Sequence, residues 1–299
     1  LMAAIKAGKH VFTEKPIATD VAGCKEVMEA SRLAKEKGLS IVAGTQRRHE
    51  FSRVELFKRI HDGAIGELVG GQCYWYGGGI WFRGASDGMS ELDWQCENWY
   101  HFTWLSGDQI CEQHIHNIDV LNWCFNGPPA RFMAVGGRQW RDANQDQVRI
   151  AKEVCRKFTG GEDNWEKYNG DIWDHIYAEF EYSNGARCLS FSGHSPPRGS
   201  GRQSEKIVGT KGTSDCNGTI TGANAWKYQG QNVDGMLQEH VDLVQSIRNG
   251  RGLNEGQRVA ESTLTAIGAR IAAYTGQVIT WDWLMNESKQ RLVPTQEEL

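Results

Sequence analysis

Four residues able to hold or transfer a proton lie within eight positions of this chain, namely Glu112, His114, His116 and Asp119. The surrounding stretch, residues 107–123, has apolar residues at helical spacing. On a helix, Glu112 and His116 are one turn apart and Asp119 follows on the same face. A carboxylate beside an imidazole fixes its tautomer and stabilises its protonated form near neutral pH. The spacing therefore indicates either an acid/base pair or an ordinary helix with polar surface residues.

The same four residues also suggest a metal site, because His-x-His is a metal-binding spacing on a strand. On a helix, in contrast, His114 and His116 point to nearly opposite sides. The eight cysteines occur singly, without a CxxC pair, which is typical of neither a zinc site nor a dense disulfide framework. We expect no bound metal, and a metal-dependent hydrolase or lyase remains an alternative.

The bulk composition argues against two classes of partner. A formal net charge of −4 over 299 residues, with no dense run of Lys or Arg, argues against nucleic acid. No stretch approaches the roughly 20 apolar residues of a membrane span, and the first residues lack the long apolar core of a secretory signal. We expect a cytoplasmic protein with no membrane partner, and export of a longer form stays open.

The first 48 residues alternate helix and strand. The pattern of a helix end covers residues 2–7, that of an amphipathic helix residues 20–37, and that of short strands residues 10–13 and 40–44. This order predicts a parallel α/β unit. Pro16 interrupts the chain at the carboxyl end of the first strand, which is where open α/β sheets bind ligands.

The composition changes after a helix predicted over residues 50–61, and residues 49–299 have the pattern of a second, α+β domain. Helices are predicted over residues 50–61, 236–249 and 257–274. Strands are predicted over residues 67–76, 131–135, 172–182, 186–192, 203–210, 218–220 and 278–281, and the Asn184-Gly185 turn joins two of them as a hairpin. Residues 139–170 are charged and rich in Gly and Asn, which predicts an insertion or long loop with a short helix near residues 150–157.

Three stretches together resemble one enzyme family. AGKHVFTEKPIA, with the helix and SIVAGTQRR that follow, resembles the second part of the nucleotide-binding domain of the Gfo/Idh/MocA oxidoreductases. Residues 107–123 are similar to that family's catalytic segment, in which an acidic residue precedes a His by four positions. The late stretch NEGQRVAESTLTAIGARIAAYTGQVITWD extends the resemblance over nearly the whole chain.

The resemblance implies a fold and an activity. Residues 1–48 would form a partial Rossmann domain, which is a doubly wound parallel α/β unit. Residues 49–299 would form an α/β domain with a large, mostly antiparallel open sheet, which in this family commonly mediates homodimers or homotetramers. The implied activity is NAD(P)-dependent oxidation or reduction of a sugar, cyclitol or related polyol. The sequence distinguishes neither NAD from NADP nor one polyol from another.

The resemblance also assigns roles to particular residues. Lys15 of the EKP motif matches the lysine that contacts the nicotinamide end of the cofactor and the reacting hydroxyl, while Glu14 and Pro16 shape that turn. His116 matches the general acid/base, and Glu112 departs from the family pattern, which usually has Asp there. In this chemistry a hydride leaves the carbinol carbon, the hydroxyl proton passes to His, and the cationic Lys favours the developing alkoxide.

Further residues are predicted to support the site. Gln46 and Arg47 follow the strand at residues 40–44 and are expected to approach the nicotinamide or the substrate. The chain contains 12 Trp, and aromatic rings stack on flat hydroxylated ligands. The residues expected to line or border the substrate pocket are Trp81, Arg83, Trp99, Tyr100, His114 and Asp119.

One departure from the family concerns the cofactor. No GxGxxG occurs in the sequence, and Gly77-Gly78-Gly79 does not replace it because it follows a strand of the second domain. We therefore expect that the leading strands of the Rossmann domain are absent here, and with them most of the NAD or NADP site. These 299 residues are expected to show negligible NAD binding by calorimetry, and micromolar binding would contradict that expectation.

Two further alternatives stay open. A redox glycosidase of the same superfamily oxidises a sugar hydroxyl transiently and returns the hydride after a glycosidic bond has been eliminated. The Trp-rich region and His114 are compatible with a redox glycosidase. Glycoside cleavage without net NADH would distinguish it from a dehydrogenase. The other alternative is a non-catalytic binding protein.

Overall fold

The computed structural model describes residues 1–195 and 199–293. Its first unit alternates helix and strand as predicted, with α1 (Met2–Lys6), β1 (Val11–Thr13), α2 (Val21–Glu36) and β2 (Ile41–Ala43). β1 and β2 pair in parallel, so their carboxyl ends lie at the same edge of the sheet. The side chain of Asp20 caps α2 by accepting a hydrogen bond from the Gly23 backbone N–H at 2.7 Å. The expected parallel α/β unit is confirmed.

A 3-10 helix (Gln46–His49) and α3 (Phe51–His61) lead into a sheet of nine strands. In chain order the strands are β3 (Leu68–Gly78), β4 (Arg131–Gly137), β5 (His175–Glu181), β6 (Arg187–Ser195), β7 (Arg202–Gly209), β8 (Gly212–Ser214), β9 (Thr219–Gly222), β10 (Trp226–Lys227) and β11 (Ile279–Thr280). Their spatial order is β10-β9-β8-β7-β3-β6-β5-β4-β11. β3 and β6 pair in parallel and the other neighbours are antiparallel, so the mostly antiparallel open sheet is confirmed.

Four short helices lie between β3 and β4 in sequence, namely α4 (Glu91–Glu97), α5 (Thr103–Ser106), α6 (Gln109–Glu112) and α7 (Ile115–Cys124). α7 packs against β3 and β7, and its residues Ile118 and Leu121 belong to the main apolar core. The covered face of the sheet therefore carries the stretch in which the sequence places the candidate acid/base residues.

The single helix predicted over residues 107–123 is wrong, because α6 and α7 are separate. Two residues with positive φ precede α6, and the chain is not helical at residues 113–114. At the break, the backbone N–H of His114 reaches the carbonyl of Gln109, five residues back, which shifts the helical phase. The imidazole of His114 is fully buried, with Nε2 2.7 Å from the Ser190 hydroxyl. Burial of this side chain against the sheet outweighs the local helical pattern.

Residues 139–170 are mostly helical rather than the long loop that the sequence predicts. They contain α8 (Trp140–Ala143), α9 (Gln145–Thr159) and a 3-10 helix (Trp165–Asn169). The buried residues of α9 recur at helical spacing, but charged residues between them masked the pattern in the sequence. α9 shares a second apolar cluster with the fully buried Trp94 of α4, and this burial stabilises the segment.

Three helices complete the fold, α10 (Gly235–Arg248), α11 (Gly256–Thr275) and α12 (Trp281–Asn286). α11 is buried along most of its length and packs against α2, α6, α7 and the strands β4 and β5. It thereby holds the first unit against the rest of the chain. No helix within the described ranges is long and apolar enough to cross a bilayer. The domain boundary at residues 48–49 stays a prediction.

Candidate active site

The turn after β1 brings Lys15 to the end of α6. Lys15 Nζ lies 2.8 Å from Glu112 Oε1 and 2.5 Å from the Glu112 carbonyl oxygen, although the two residues are 97 positions apart. The side chains are only 11% and 6% exposed, so the ion pair lies in a partly desolvated setting where such a contact is strong. The structure therefore brings together two of the three residues that the sequence assigns to catalysis.

His116 lies on the first turn of α7, just beyond this ion pair. Its Nδ1 atom is buried and has no hydrogen-bond partner among the described residues. Burial, with the nearby charges of Lys15 and Arg47, lowers the pKa of His116 to about 3, and Asp119 opposes the shift only in part. The imidazole is consequently neutral at pH 7, which is the form that accepts a proton.

The expected contact between Glu112 and His116 is absent from the described hydrogen bonds. The Glu112 carboxylate instead bonds to Lys15 through Oε1, while its Oε2 atom is buried without a partner. The break between α6 and α7 explains the difference, because it changes the angular relation of positions 112 and 116. Glu112 therefore holds the lysine and leaves the imidazole free.

A cavity of about 610 Å³ opens next to Glu112. It lies where the parallel strands β3 and β6 end, with Gly78 and His194 in its wall. The other lining residues that matter here are Trp81, Trp99, Tyr100 and Gln113. Ring centroids are 5.7 Å apart for Trp81 and Trp99 and 5.9 Å apart for Trp81 and Tyr100. A concave site of this size, with an aromatic wall and a few polar groups, is typical of small-molecule binding.

A larger groove of about 980 Å³ lies elsewhere, beside the turn between β5 and β6. It contains none of the residues that the sequence assigns to a site. Because size alone does not define a site, the smaller cavity with Glu112 in its wall is the candidate.

His194 is a site residue that the sequence did not suggest. Its Nδ1 atom is 2.9 Å from the Gly78 carbonyl oxygen, and its Nε2 atom is 3.2 Å from the Tyr100 hydroxyl. A carbonyl only accepts, so Nδ1 carries the proton and Tyr100 donates to Nε2. Burial, with the charge of Arg141, lowers the pKa of His194 to about 4 and keeps the ring neutral. The available signal in the sequence was a His two residues after the strand predicted over residues 186–192.

Asp119 lies outside the cavity wall, in a buried ion network. Its carboxylate is 2.8 Å from Arg48 Nε, 2.8 Å from the Ser262 hydroxyl and 3.6 Å from Arg258 Nη1. Burial alone would raise the pKa of Asp119, but Arg48 and Arg258 hold it well below its usual range. Asp119 thus joins α7 to α11, and its contact with the substrate stays a prediction.

Replacing Asp119 by Ala is expected to destabilise the fold by about 3 kcal/mol, because two half-buried cations, Arg48 and Arg258, lose their common buried partner. Urea unfolding measures the effect. Ser262→Ala is the matched control, since it removes one hydroxyl donor from the same carboxylate but leaves both cations paired, at a cost of about 1.5 kcal/mol. Equal losses for the two variants would contradict the structural role of the ion network.

Arg47 is buried and forms an ion pair with Glu205 of β7 rather than facing the cavity. Its Nη1 atom also lies 3.3 Å from the His116 carbonyl oxygen. Glu205 further accepts a hydrogen bond from Asn117, so one carboxylate ties the end of β2 to the first turn of α7. Arg47 thus holds the backbone of His116 through its hydrogen bond to the His116 carbonyl oxygen.

The other predicted residues fall into two groups. The first group lies at the edge of the parallel sheet where β1 and β2 end, which is also the position of Lys15. It consists of Glu14, Pro16 and the partly buried Gln46. His114 and Arg83 do not line the cavity, because His114 is buried against Ser190, and Arg83 is exposed with only its backbone bonded to Asn98 and Trp94. Within residues 1–195 and 199–293, no three His, Cys, Asp or Glu side chains converge as metal ligands.

The comparisons with known proteins define the class. Residues 54–215, more than half of the chain, match the model of the GFO/IDH/MocA C-terminal domain, and residues 1–44 match that of the oxidoreductase family with an NAD-binding Rossmann fold. The chain belongs to the GFO/IDH/MocA family of oxidoreductases.

Among curated relatives, the chain is 32% identical over 123 residues to the inositol 2-dehydrogenase/D-chiro-inositol 3-dehydrogenase of Halalkalibacterium halodurans, covering 41% of this chain and 29% of that protein. It is 26% identical over 189 residues to the enzyme of the same name from Lactiplantibacillus plantarum, covering 63% of this chain and 45% of that protein. The chain therefore spans less than half of each of these two relatives.

Solved structures share the fold. An aldose-aldose oxidoreductase from Caulobacter crescentus, complexed with glycerol, superposes with a TM-score of 0.67 at 17% identity, covering 93% of this chain and 73% of that one. A scyllo-inositol dehydrogenase from Lactobacillus casei, with bound NAD(H) and scyllo-inositol, superposes with a TM-score of 0.62 at 18% identity, covering 93% and 75%.

Proposed function

We propose that this chain carries the catalytic site of an NAD(P)-dependent oxidoreductase that acts on a cyclitol, sugar or related polyol. The observation that carries the proposal is the buried contact of Lys15 with Glu112 at the edge of an aromatic-walled cavity, with the neutral His116 beside it. The family of the chain, and the inositol dehydrogenases among its relatives, support the same class of reaction.

The residues present fit the nicotinamide end of a dinucleotide. Among the described residues, Glu112 Oε2 and His116 Nδ1 find no hydrogen-bond partner although both atoms are buried, as expected where further groups bind. Lys15, Glu14 and Pro16 after β1, and Gln46 after β2, would hold that end of the cofactor. When bound, the nicotinamide ring supplies the hydride acceptor.

The protein's part of the reaction is proton transfer and charge stabilisation. His116 accepts the hydroxyl proton through its neutral imidazole. The Lys15 ammonium favours the developing alkoxide, and the Glu112 carboxylate keeps that ammonium in position. The longer side chain of Glu, relative to the Asp usual in the family, still reaches Lys15 Nζ at 2.8 Å. Lys15, Glu112 and His116 are thus the proposed catalytic residues.

The experiment follows NADH formation with myo-inositol, scyllo-inositol and D-glucose, using the protein expressed from its complete coding sequence. His116→Gln is expected to lower kcat about 10²- to 10⁴-fold, because the general base is lost. His61→Gln, at an exposed histidine of α3, is the matched control and is expected to retain the rate. Equal rates for the two variants, or no reduction of NAD(P) with any polyol, would contradict the proposal. Glycoside cleavage without net NADH would point to the redox glycosidase instead.

We expect these 299 residues by themselves to bind NAD or NADP weakly. The described parallel sheet consists of β1 and β2, and the sequence contains no glycine-rich phosphate turn. The nicotinamide end is the part of the cofactor for which the chain offers polar atoms, so calorimetry of the 299-residue chain is expected to show no micromolar binding.

We also propose that two or four copies assemble through the open face of the sheet. Met133 and Val135 of β4 are 55% and 67% exposed, and Tyr177, the register partner of Val135, is 40% exposed. They alternate with buried residues, so they point away from the helices that cover the other face. An exposed apolar patch of this kind is typical of a protein interface.

Val135→Asp is expected to convert the assembly to monomers, because it places a charge in the desolvated interface. Analytical ultracentrifugation measures the change. Leu237→Asp, at a 65% exposed residue of α10, is the control and is expected to leave the assembly intact. A monomeric native protein at micromolar concentration would contradict the proposal.

A further inference from the structure

A buried arginine lies behind the aromatic wall of the cavity. Arg141 of α8 is fully buried, and its Nε atom is 3.1 Å from Asp174 Oδ1. Asp174 precedes β5, and its other carboxylate oxygen accepts the backbone N–H of Gln139 at 2.5 Å and of Trp140 at 2.7 Å. The guanidinium is therefore fixed relative to the sheet by a carboxylate that is itself held by the backbone.

Arg141 fixes the tautomer of His101, that is, which ring nitrogen carries the proton. Its Nη1 atom is 2.9 Å from His101 Nδ1, and a guanidinium only donates, so Nδ1 accepts and the ring proton lies on Nε2. His101 Nε2 donates to the Trp81 carbonyl oxygen at 2.6 Å. Burial, followed by the charge of Arg141, lowers the pKa of His101 to about 3, so the ring stays neutral at physiological pH.

Trp81 is held at a second point as well. Its indole Nε1 donates to the Glu97 carbonyl oxygen at 3.1 Å, and 38% of the residue remains exposed. Its ring is in contact with the rings of Trp99 and Tyr100, which also line the cavity. Both the backbone and the ring of Trp81 are thus fixed, which is more restraint than an exposed aromatic residue ordinarily has.

We propose that Arg141 and His101 are positioning residues that hold Trp81 as a stacking surface, and that this surface selects ring-shaped polyols over open-chain ones. The inference rests on the proposed polyol oxidoreductase function. A ring-shaped polyol presents one flat C–H face that an indole covers at little entropic cost. An open-chain polyol has no such face and loses several rotors on binding.

The test compares the dissociation constants of myo-inositol and D-sorbitol by calorimetry, using the protein expressed from its complete coding sequence. His101→Leu fills a similar volume but neither accepts from Arg141 nor donates to Trp81. It is expected to reduce the preference for the ring roughly fivefold, the equivalent of one hydrogen bond. His101→Gln, which keeps an acceptor and a donor, is expected to restore the preference.

Trp81→Ala keeps the test decisive if His101→Leu does not fold, because it removes a partly exposed ring without leaving a buried polar group. It is expected to abolish the preference, whereas Trp226→Ala, at a partly buried Trp of β10, is expected to retain it. Equal affinities for both polyols in the native protein would overturn the inference. So would an undiminished preference in His101→Leu, or a preference that survives in Trp81→Ala.

The two proposals fail in different ways. If the selectivity inference is wrong, myo-inositol still binds and NAD(P) reduction still depends on His116. If the proposed function is wrong, NAD(P) reduction with polyols is absent even though the folded protein is intact.

Discussion

The folded protein is expected to lose stability steeply as the pH falls from about 6.5 to about 4.5. Four histidines, of which His116 is half-buried and the others are buried, have lowered pKa values, near 3 for His101, His114 and His116 and near 4 for His194. Burial is the first cause in each case. In the unfolded chain these groups bind protons near pH 6.5. Because the unfolded chain then holds more protons than the folded chain, acid favours unfolding.

Two carboxyl groups act in the opposite sense in this window. Burial raises the pKa of Asp108 to about 6 and that of Glu239 to about 7, so the folded chain holds those protons more tightly than the unfolded chain. The unfolded chain binds about four more protons at the histidines and about two fewer at the carboxyl groups. It therefore binds about two more protons in total than the folded chain. The free energy of unfolding is therefore expected to fall by roughly 3 kcal/mol per pH unit.

Urea unfolding at pH 7.5, 6.5, 5.5 and 4.5 measures this slope. His194→Gln is expected to reduce it by about 1.4 kcal/mol per pH unit, because one buried histidine no longer titrates. A free energy of unfolding that stays constant between pH 7 and pH 5 would contradict the neutral state of the buried imidazoles.

Replacing Lys15 by Met is expected to lower kcat/KM for polyol oxidation by about 10²- to 10³-fold, because the cation that favours the alkoxide is lost. The same change leaves the Glu112 carboxylate buried without its partner, at a cost of about 3–5 kcal/mol in stability. Initial rates of NADH formation and urea unfolding measure the two effects separately.

The double variant Lys15→Met with Glu112→Gln distinguishes catalysis from folding. It removes the unpaired charge, so stability is expected to recover while activity stays low. Recovery of activity together with stability would show that Lys15 serves the fold rather than the reaction. A single Lys15→Met variant within threefold of the native kcat/KM would contradict its catalytic role outright.

The order of helices and strands could be predicted from local patterns. Asp20 as a cap and the hairpin at Asn184-Gly185 are examples, because capping and turn formation depend on neighbouring residues alone. The break between α6 and α7 could not be predicted in this way, because the burial of His114 against Ser190 involves a residue 76 positions away. Local periodicity carries no information about that contact.

The candidate site shows the same limit. The resemblance places Lys15 and Glu112 in one site, but it pairs Glu112 with His116, and nothing in the spacing of residues 97 positions apart predicts the contact of Lys15 with Glu112. The ion pairs of Asp119 with Arg48 and Arg258 could not be predicted, because these partners come from other helices. The contribution of His194 depends on the parallel register of β3 and β6, which a strand pattern does not specify.

Isotope transfer from myo-inositol deuterated at its carbinol carbons tests the central claim most directly. With the protein expressed from its complete coding sequence, deuterium is expected in the reduced nicotinamide, the rate is expected to fall with the heavier isotope, and His116→Gln is expected to suppress the transfer. Release of the deuterium to water, or bound myo-inositol that leaves NAD(P) unreduced, would contradict hydride transfer at the site formed by Lys15, Glu112 and His116.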